Sequence, residues 1–599
     1  MATFLYKLGR LAFRRRHFVA LIWVALLTLA GVGAASAPAA GSTSFSIPGV
    51  EAQKAFDLLE QRFPGASADG ATGRIVFKAP EGQKMTDAAN RATVQKTVKT
   101  LGDGSEVLSV TDPFTTNAVS KDGTVAYTSV KYDAPGMELT DTTKDALEAA
   151  GDAARDTGLT VDVGGDALQA AAEPGAAGEI IGLAIAAVVL VMTLGSLVAA
   201  GLPLLTAIIG VGIGVSTITV LAKALDLGDT TSTLALMIGL AVGIDYALFI
   251  VSRYRSELAE GRDREEAIGR ATGTAGSAVV FAGLTVVIAL AGLSVVNVPM
   301  LTKMGLAAAG TVVVAVLIAL TMIPALLGYA GKKVRATGEK RRPAKEKSGQ
   351  GKPGLGVRWA SFVIRRPAAV LLLGVVGLGA IAVPATQLEL GLPDDGSQPT
   401  STTQRRAYDL LSEGFGPGFN GPLMIVVDAR DSDDPKAAAT TVTDGIKKLE
   451  DVVTVTPAMF NKAGDTATIT VIPDSKPSST QTEDLVHAIR DQGAGVRTDT
   501  GAQVLVTGTT AMNIDFSQKL NDALIPYLGL VVGLAFLLLI VVFRSILVPL
   551  KAALGFLLSV LAAIGAVVAV FQWGWLSGLI GVEETGPIMS MMPIFMVGV

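Results

Sequence analysis

Among the acidic residues of this chain, Asp245 is the one set well inside an apolar stretch, GLAVGIDYALFIVSRYR from Gly239 to Arg255. A charged Asp near mid-bilayer costs about 2.5–3.5 kcal/mol on insertion scales, so a functional role is its default reading. Counted back from Arg253, which marks a membrane surface, Asp245 lies about 12 Å deep at about 1.5 Å per residue. Apolar surroundings favour the neutral acid and bring proton uptake within the range of a proton gradient. Tyr246 follows about 100° around the helix, where it reaches a neighbouring span as donor or acceptor. Ala235, Gly239, Gly243 and Ala247 recur every four residues and make a small face for close helix approach. Two readings of Asp245 stay open: proton or cation coupling, and a polar brace satisfied by a neighbouring hydroxyl.

Other chemistries lack their residues. With no Cys the chain forms no disulfide, thiolate zinc site or cysteine nucleophile. His17 and His487 stand far apart and His17 ends a run of arginines, so neither suggests a metal site or a triad. There is no G-x-x-x-x-G-K-[ST] for ATP and no H-E-x-x-H, and an intramembrane aspartyl protease needs a second embedded Asp. The expectation is no enzyme, no metal and no cofactor, with protons as the coupling ion. A net charge of -4, with basic residues gathered in a few short segments, gives no support for a nucleic-acid partner.

The elements that hold Asp245 are apolar runs. Half of the 599 residues are apolar and 17% are charged, against about 25% charged in soluble proteins. Candidate spans fall at 18–37, 178–198, 201–221, 231–252, 272–294, 302–327, 367–387, 522–543 and 547–571, each near the ~20 residues a bilayer needs. A tenth run opens at Pro587 and stops at Val599, too short to cross. Lys7, Arg10, Arg14, Arg15 and Arg16 place the N-terminus on the cytoplasmic side. Threading from there puts Arg253, Arg255, Arg262, Arg264, Arg270, Arg544 and Lys551 inside, and Asp226, Asp229, Glu583 and Glu584 outside. Trp573 and Trp575 mark an outer aromatic belt. The first run, with Ala35 to Ala40 behind it, also resembles a signal peptide; its length favours a retained helix.

The divisions are a cytoplasmic N-terminus with the first span (1–37), an outward domain (38–177), spans two to six (178–330), a basic cytoplasmic linker (331–366), span seven (367–387), a second outward domain (388–521), and spans eight, nine and an incomplete ten (522–599). The linker, basic and rich in Gly and Pro, reads as a disordered tether or as attracted to anionic headgroups. The chain repeats itself. FRRRHFVALIWVALL at 13–27 resembles VIRRPAAVLLLGVVG at 363–377, LTVDVGGDALQ at 159–169 resembles AQVLVTGTTAM at 502–512, and LGSLVAAGLPLL at 194–205 resembles FRSILVPLKAAL at 543–554. Each half carries an insert of about 140 residues whose helix and strand signals alternate in the same order, such as EAQKAFDLLEQRF, GRIVFKAP, TVAYTSVKYD and LTVDVGG in the first. The fold class is therefore a polytopic α-helical membrane protein with two duplicated halves, each carrying an α+β, ferredoxin-like extracytoplasmic insert.

Duplicated halves, paired inserts and the G-x-D-Y-x-x-F-[IL]-[VI]-S-R-x-[RK] stretch together resemble the MMPL (mycobacterial membrane protein large) family of the resistance-nodulation-division superfamily, over essentially the whole chain. Spans two to six also resemble the sterol-sensing domain. The resemblance implies twelve spans, a monomer or trimer in the cell membrane, and proton-driven export of lipids or other hydrophobic compounds. It places the family's fourth-span Asp and Tyr on Asp245 and Tyr246, and a facing fifth-span Ser on Ser277, a position that suits a packing residue equally well. Relatives carry a second Asp-Tyr pair in span ten, after a segment similar to PIMSMMPIFMVGV. The chain reads as truncated before it, and 599 residues alone are expected not to transport. Two alternatives remain: a SecDF-like protein-export factor, and a non-transporting sensor or scaffold. Lipid, siderophore and antibiotic substrates are all open.

Overall fold

The computed structural model describes residues 1–37, 47–63, 70–136, 138–168, 176–225, 227–334 and 355–598. The basic linker expected over 331–366 therefore lies largely outside the described residues, as do Asp226 and the end of the Ala35–Ala40 run.

Two helices open the chain, α1 (Ala2–Arg14) and α2 (Arg16–Ser36), followed by α3 (Glu51–Arg62). The first insert continues β1 (Thr72–Lys78), α4 (Ala88–Gly102), β2 (Val107–Val110), β3 (Val125–Tyr132), α5 (Asp141–Arg155), β4 (Thr160–Gly164). A bundle follows: α6 (Ala176–Leu194), α7 (Leu197–Leu225), α8 (Asp229–Ala259), α9 (Arg264–Gly292) and α10 (Pro299–Ala330). The second half opens with α11 (Leu355–Arg365), α12 (Pro367–Ala382), β5 (Leu390–Gly391) and α13 (Thr403–Phe415). Its insert continues β6 (Leu423–Asp428), α14 (Pro435–Ile446), β7 (Val452–Val455), β8 (Met459–Phe460), β9 (Thr466–Pro473), α15 (Thr480–Thr500) and β10 (Gln503–Thr507). Then come α16 (Thr509–Phe543), α17 (Leu547–Val567), β11 (Ile588–Met589) and a last helix, Met592–Gly598.

Eight of the described helices are long and apolar enough to cross a membrane, and α6 contributes a shorter apolar helix, Ile180–Leu194. Leucine and isoleucine side chains stand exposed along α2, α6, α12 and α17, which in water would be untenable and in lipid is the favoured state. The chain is a multi-pass membrane protein. Two spans differ from the sequence reading. α16 opens at Thr509, well ahead of residue 522, so one 35-residue helix runs from the second insert into the membrane. The tenth run begins as strand: Ile588 and Met589 pair in parallel with Leu390 and Gly391, and the helix starts at Met592.

In the two inserts β3 and β9 alternate buried and half-exposed residues, whereas β1, β4, β6 and β10 are buried along most of their length. The first sheet has the order β2-β3-β1-β4, all antiparallel. The second reads β7-β9-β6-β10, with β8 added to β9. Strand for strand the connectivity is the same. The sequence reading gives each insert its own opening helix, and there the structure differs: α13 packs Ala407 and Leu411 on Val76 and Val125 of the first sheet, and α3 packs Ala55 and Leu59 on Val426 and Leu505 of the second. Each sheet has a second apolar face, and the exchange covers both.

α1 is amphipathic. Leu5, Gly9 and Ala12 are buried against α9, Arg10 and Arg14 bind Glu265, and the Tyr6 hydroxyl donates to Glu266 at 2.5 Å. The sequence reading took this segment only as topogenic charge, although Leu5, Gly9 and Ala12 already fall at helical spacing.

Candidate functional site

Asp245 sits at the middle of the 31-residue α8, about 20 Å or more from either end at about 1.5 Å per residue. The helix is held by α7, α9 and α10. Its small residues make that possible: Ala235, Gly239, Gly243 and Ala247 are all buried. A Cβ at Gly239 would lie 2.7 Å from Thr311 Cγ2 of α10, and one at Gly243 would lie 3.1 Å from Ala207 Cα of α7. These contacts leave the backbones too close for larger side chains.

Asp245 lies on the opposite stripe. Met237, Ala241, Asp245 and Phe249, four residues apart, are exposed on the outer surface of the bundle. At that depth the stripe faces either hydrocarbon or another transmembrane element, and a carboxyl group tolerates only the latter without neutralising. Among the described residues no hydrogen bond or ion pair reaches the Asp245 carboxyl.

Tyr246 turns inward. It is 9% exposed and its ring packs where Gly283 of α9 lacks a side chain, with Cε2 3.5 Å from the position a Cβ would take. Ser277, also on α9, is half-buried and donates its hydroxyl to the Gly273 carbonyl at 2.7 Å, a bond within its own helix. No hydrogen bond joins any two of Asp245, Tyr246 and Ser277. The structure thus places Asp245 and Tyr246 on adjacent faces of one helix and keeps Ser277 on the next. Among the described residues there is no cluster of three or more His, Asp or Glu that could hold a metal ion.

Sequence reasoning missed the polar joints between the inserts and the helices. Asp515, near the start of α16 and 5% exposed, accepts from the Ala52 N–H at 2.9 Å and binds Arg490 at 2.7 Å. Arg490 Nε also donates to Glu51 at 3.1 Å, and Glu51 accepts from the Val506 N–H at 3.1 Å. Nearby, Ser517 and Ser590 share a buried hydrogen bond of 2.8 Å, and the Tyr527 hydroxyl donates to the Ala289 carbonyl at 3.1 Å. α16 is thereby tied to α3, to the second insert, to α9 and to the end of the chain. A polar Asp, Ser and Lys run just ahead of an apolar span, at 515–519, is the signal that points to it.

A sequence profile of the MMPL family matches residues 44–370 and 397–599. The chain is 41% identical to the membrane protein YdfJ of Bacillus subtilis, over all of this chain and 81% of that protein. It is 31% identical to the mycolic acid-containing lipids exporter MmpL11 of Mycolicibacterium smegmatis, over 70% of this chain and 44% of that one. It is 30% identical to the heme uptake protein MmpL11 of Mycobacterium tuberculosis, over 89% of this chain and 56% of that one.

Proposed function

The chain belongs to the MMPL family of membrane transporters, and on that premise we propose that it drives proton-coupled export of a lipid or other amphiphile across the cytoplasmic membrane. The observation that carries this reading is Asp245 at mid-membrane, on an α8 stripe that its own bundle leaves uncovered. A second transmembrane element against that stripe would give the carboxyl a dry, paired environment. Gain and loss of its proton would then change how tightly the two elements pack. One proton moving through 100 mV supplies about 2.3 kcal/mol, enough to shift such a packing equilibrium by about fifty-fold. Tyr246 anchors α8 to α9 on the other side and fixes the angle at which the carboxyl is presented.

The shared strand order supports reading the inserts as duplicated ferredoxin-like domains and the chain as two related halves. The basic α1 and the Arg253 to Arg270 segment support a cytoplasmic N-terminus with both inserts outside the cell membrane. In this reading the coupling ion is the proton alone, no further cofactor is needed, and the assembly is a monomer or trimer in lipid. The exporter named for one relative favours a lipid substrate, and the heme uptake named for another makes direction part of the test.

The test compares a host lacking the gene with the same host carrying the intact gene, either wild type or with Asp245→Asn, at equal protein abundance. Envelope lipids are extracted, and heme-dependent growth is measured in parallel. Wild type restores the surface lipid profile, and Asp245→Asn, which cannot ionise, falls to the level of the deletion. Restoration by Asp245→Asn would end the coupling role and leave a sensor or scaffold. Restored heme growth without a lipid change would reverse the direction.

A further inference from the structure

The two joints made by the exchanged helices differ in how their charges are satisfied. Where α3 meets the second sheet, Arg490 has both Glu51 and Asp515, Asp515 also holds the Ala52 N–H, and Arg62 pairs with Asp465. Where α13 meets the first sheet, the pairing is incomplete. Asp395, just ahead of α13, accepts from the Gly165 N–H at 3.0 Å, and Asp166 accepts from the Thr72 N–H at 2.6 Å. Both face the guanidinium of Arg74, whose buried Nε has no hydrogen-bond partner. Asp394 stands beside Asp395, and its buried Oδ2 is likewise unpartnered.

The remaining charged and titratable groups around this point are committed elsewhere or are neutral. On α13, Arg406 binds Asp162 of β4 at 2.9 Å, and Arg405 holds Asp409, Glu584 and the Gly396 carbonyl. Tyr127 of β3 lies beside Arg74, and Tyr408 of α13 lies beside Asp394. Among the described residues Arg74 is therefore the one cation left for Asp166 and Asp395, and Asp394 adds a third buried carboxyl beside Asp395. The equivalent strand positions of the second sheet hold Met424 where the first has Arg74 and Leu505 where it has Asp162. At these two pairs of positions only the first sheet carries an ionisable side chain.

We propose that the α13 joint is a proton-operated latch: residues 394–397 and α13 dock tightly on the first sheet when one of Asp166, Asp394 and Asp395 is protonated, and loosen when all three are ionised, while the α3 joint stays closed. Burial pushes all three carboxyls up. Repulsion from Asp395 adds to it for Asp394 and Asp166. A carboxyl that holds its proton more tightly docked than free strengthens docking as pH falls and weakens it as pH rises through the docked value. The latch rests on the proposed orientation for its biological sense: with the inserts outside, the acid side of an energised membrane is the side that closes it. Its chemistry does not depend on transport.

The experiment is hydrogen exchange on the full chain in lipid nanodiscs at about pH 5.5 and about pH 8, with exchange times corrected for the intrinsic pH dependence of the amide. Amides of 72–78 and 160–168 open about tenfold more often at the higher pH, and those of 503–507 show no change. The double variant Asp166→Asn, Asp395→Asn keeps the acceptor oxygens and cannot ionise at either site. It stays protected at both values. Equal protection of 72–78 and 160–168 at both pH values in wild type overturns the latch, as does a wild-type response retained in the double variant. Unchanged protection of 503–507 in that variant shows that it is folded. An inactive Asp245→Asn protein with an intact pH response would separate failure of the coupling reading from failure of this one.

Discussion

Replacing Asp515 by Ala removes a residue that ties the membrane helix α16 both to α3 and to the second insert. Three contacts go at once: two charge-assisted bonds to Arg490, at 2.7 and 3.0 Å, and the acceptor for the Ala52 N–H at 2.9 Å. Breaking a buried ion pair from one side costs about 3–5 kcal/mol. Arg490 keeps Glu51 at 3.1 Å, so the cost falls at the lower end, about 3 kcal/mol. At about 1.4 kcal/mol per factor of ten, α3 should detach from the second sheet about a hundredfold more often. Asp515→Asn retains an acceptor for Ala52 and loses only the charge, and its effect should be about tenfold. The assay is hydrogen exchange of α3 amides in nanodiscs, which reads the local opening directly; a melting temperature would mix in the bundle, whose unfolding need not be two-state. Opening within threefold of wild type in Asp515→Ala, or equal effects of Ala and Asn, would refute the account of this joint.

Three further outcomes follow from other contacts. Gly239→Ala places a methyl 2.7 Å from Thr311 and should lower bundle stability by about 1–3 kcal/mol, whereas Gly529→Ala on α16, with open space around it, should be neutral or stabilising by about 0.5–1 kcal/mol; detergent melting curves compare the two. Arg62 holds Asp465 down at about 2, so their pair stabilises α3 docking fully above the usual carboxylate range and is lost only as pH falls through about 2; in Arg62→Ala, carboxyl-selective NMR should find Asp465 titrating at a higher pH. Glu265→Gln should free α1 from the start of α9, and, in detergent-solubilised protein, a protease should then cut between Ala2 and Arg14 several-fold faster.

What the sequence makes legible follows the range of the interactions involved. Long apolar runs announce spans because lipid demands them residue by residue, and each of α7 to α10 contains or overlaps the run read for it, although α8 and α9 extend past those runs by two turns at their basic ends. Asp245 stands out because one acid in hydrocarbon is conspicuous, and Gly239 and Gly243 because their spacing is local. The central strands of the inserts, such as β1, β3, β4, β6 and β9, are visible as short apolar runs, but the edge strands β2, β7 and β8 and the helices α4 and α14 pass unread. The exchange of α3 and α13 leaves no local mark. A helix with one apolar face looks the same whether it covers its own sheet or the other, and the choice is made by partners such as Thr403 with Val163 or Glu51 with Val506, hundreds of residues apart in the chain. Asp515 and Arg74 escape for the same reason: each is an ordinary charged residue until folding brings its partner, or leaves it without one. The exchange also has a mechanical consequence. Because α13 belongs to one half and its sheet to the other, neither insert can move with its own spans alone. A change in packing at α16 is passed through Asp515 to α3 and Arg490, and so to both the second sheet and the chain leading into the first.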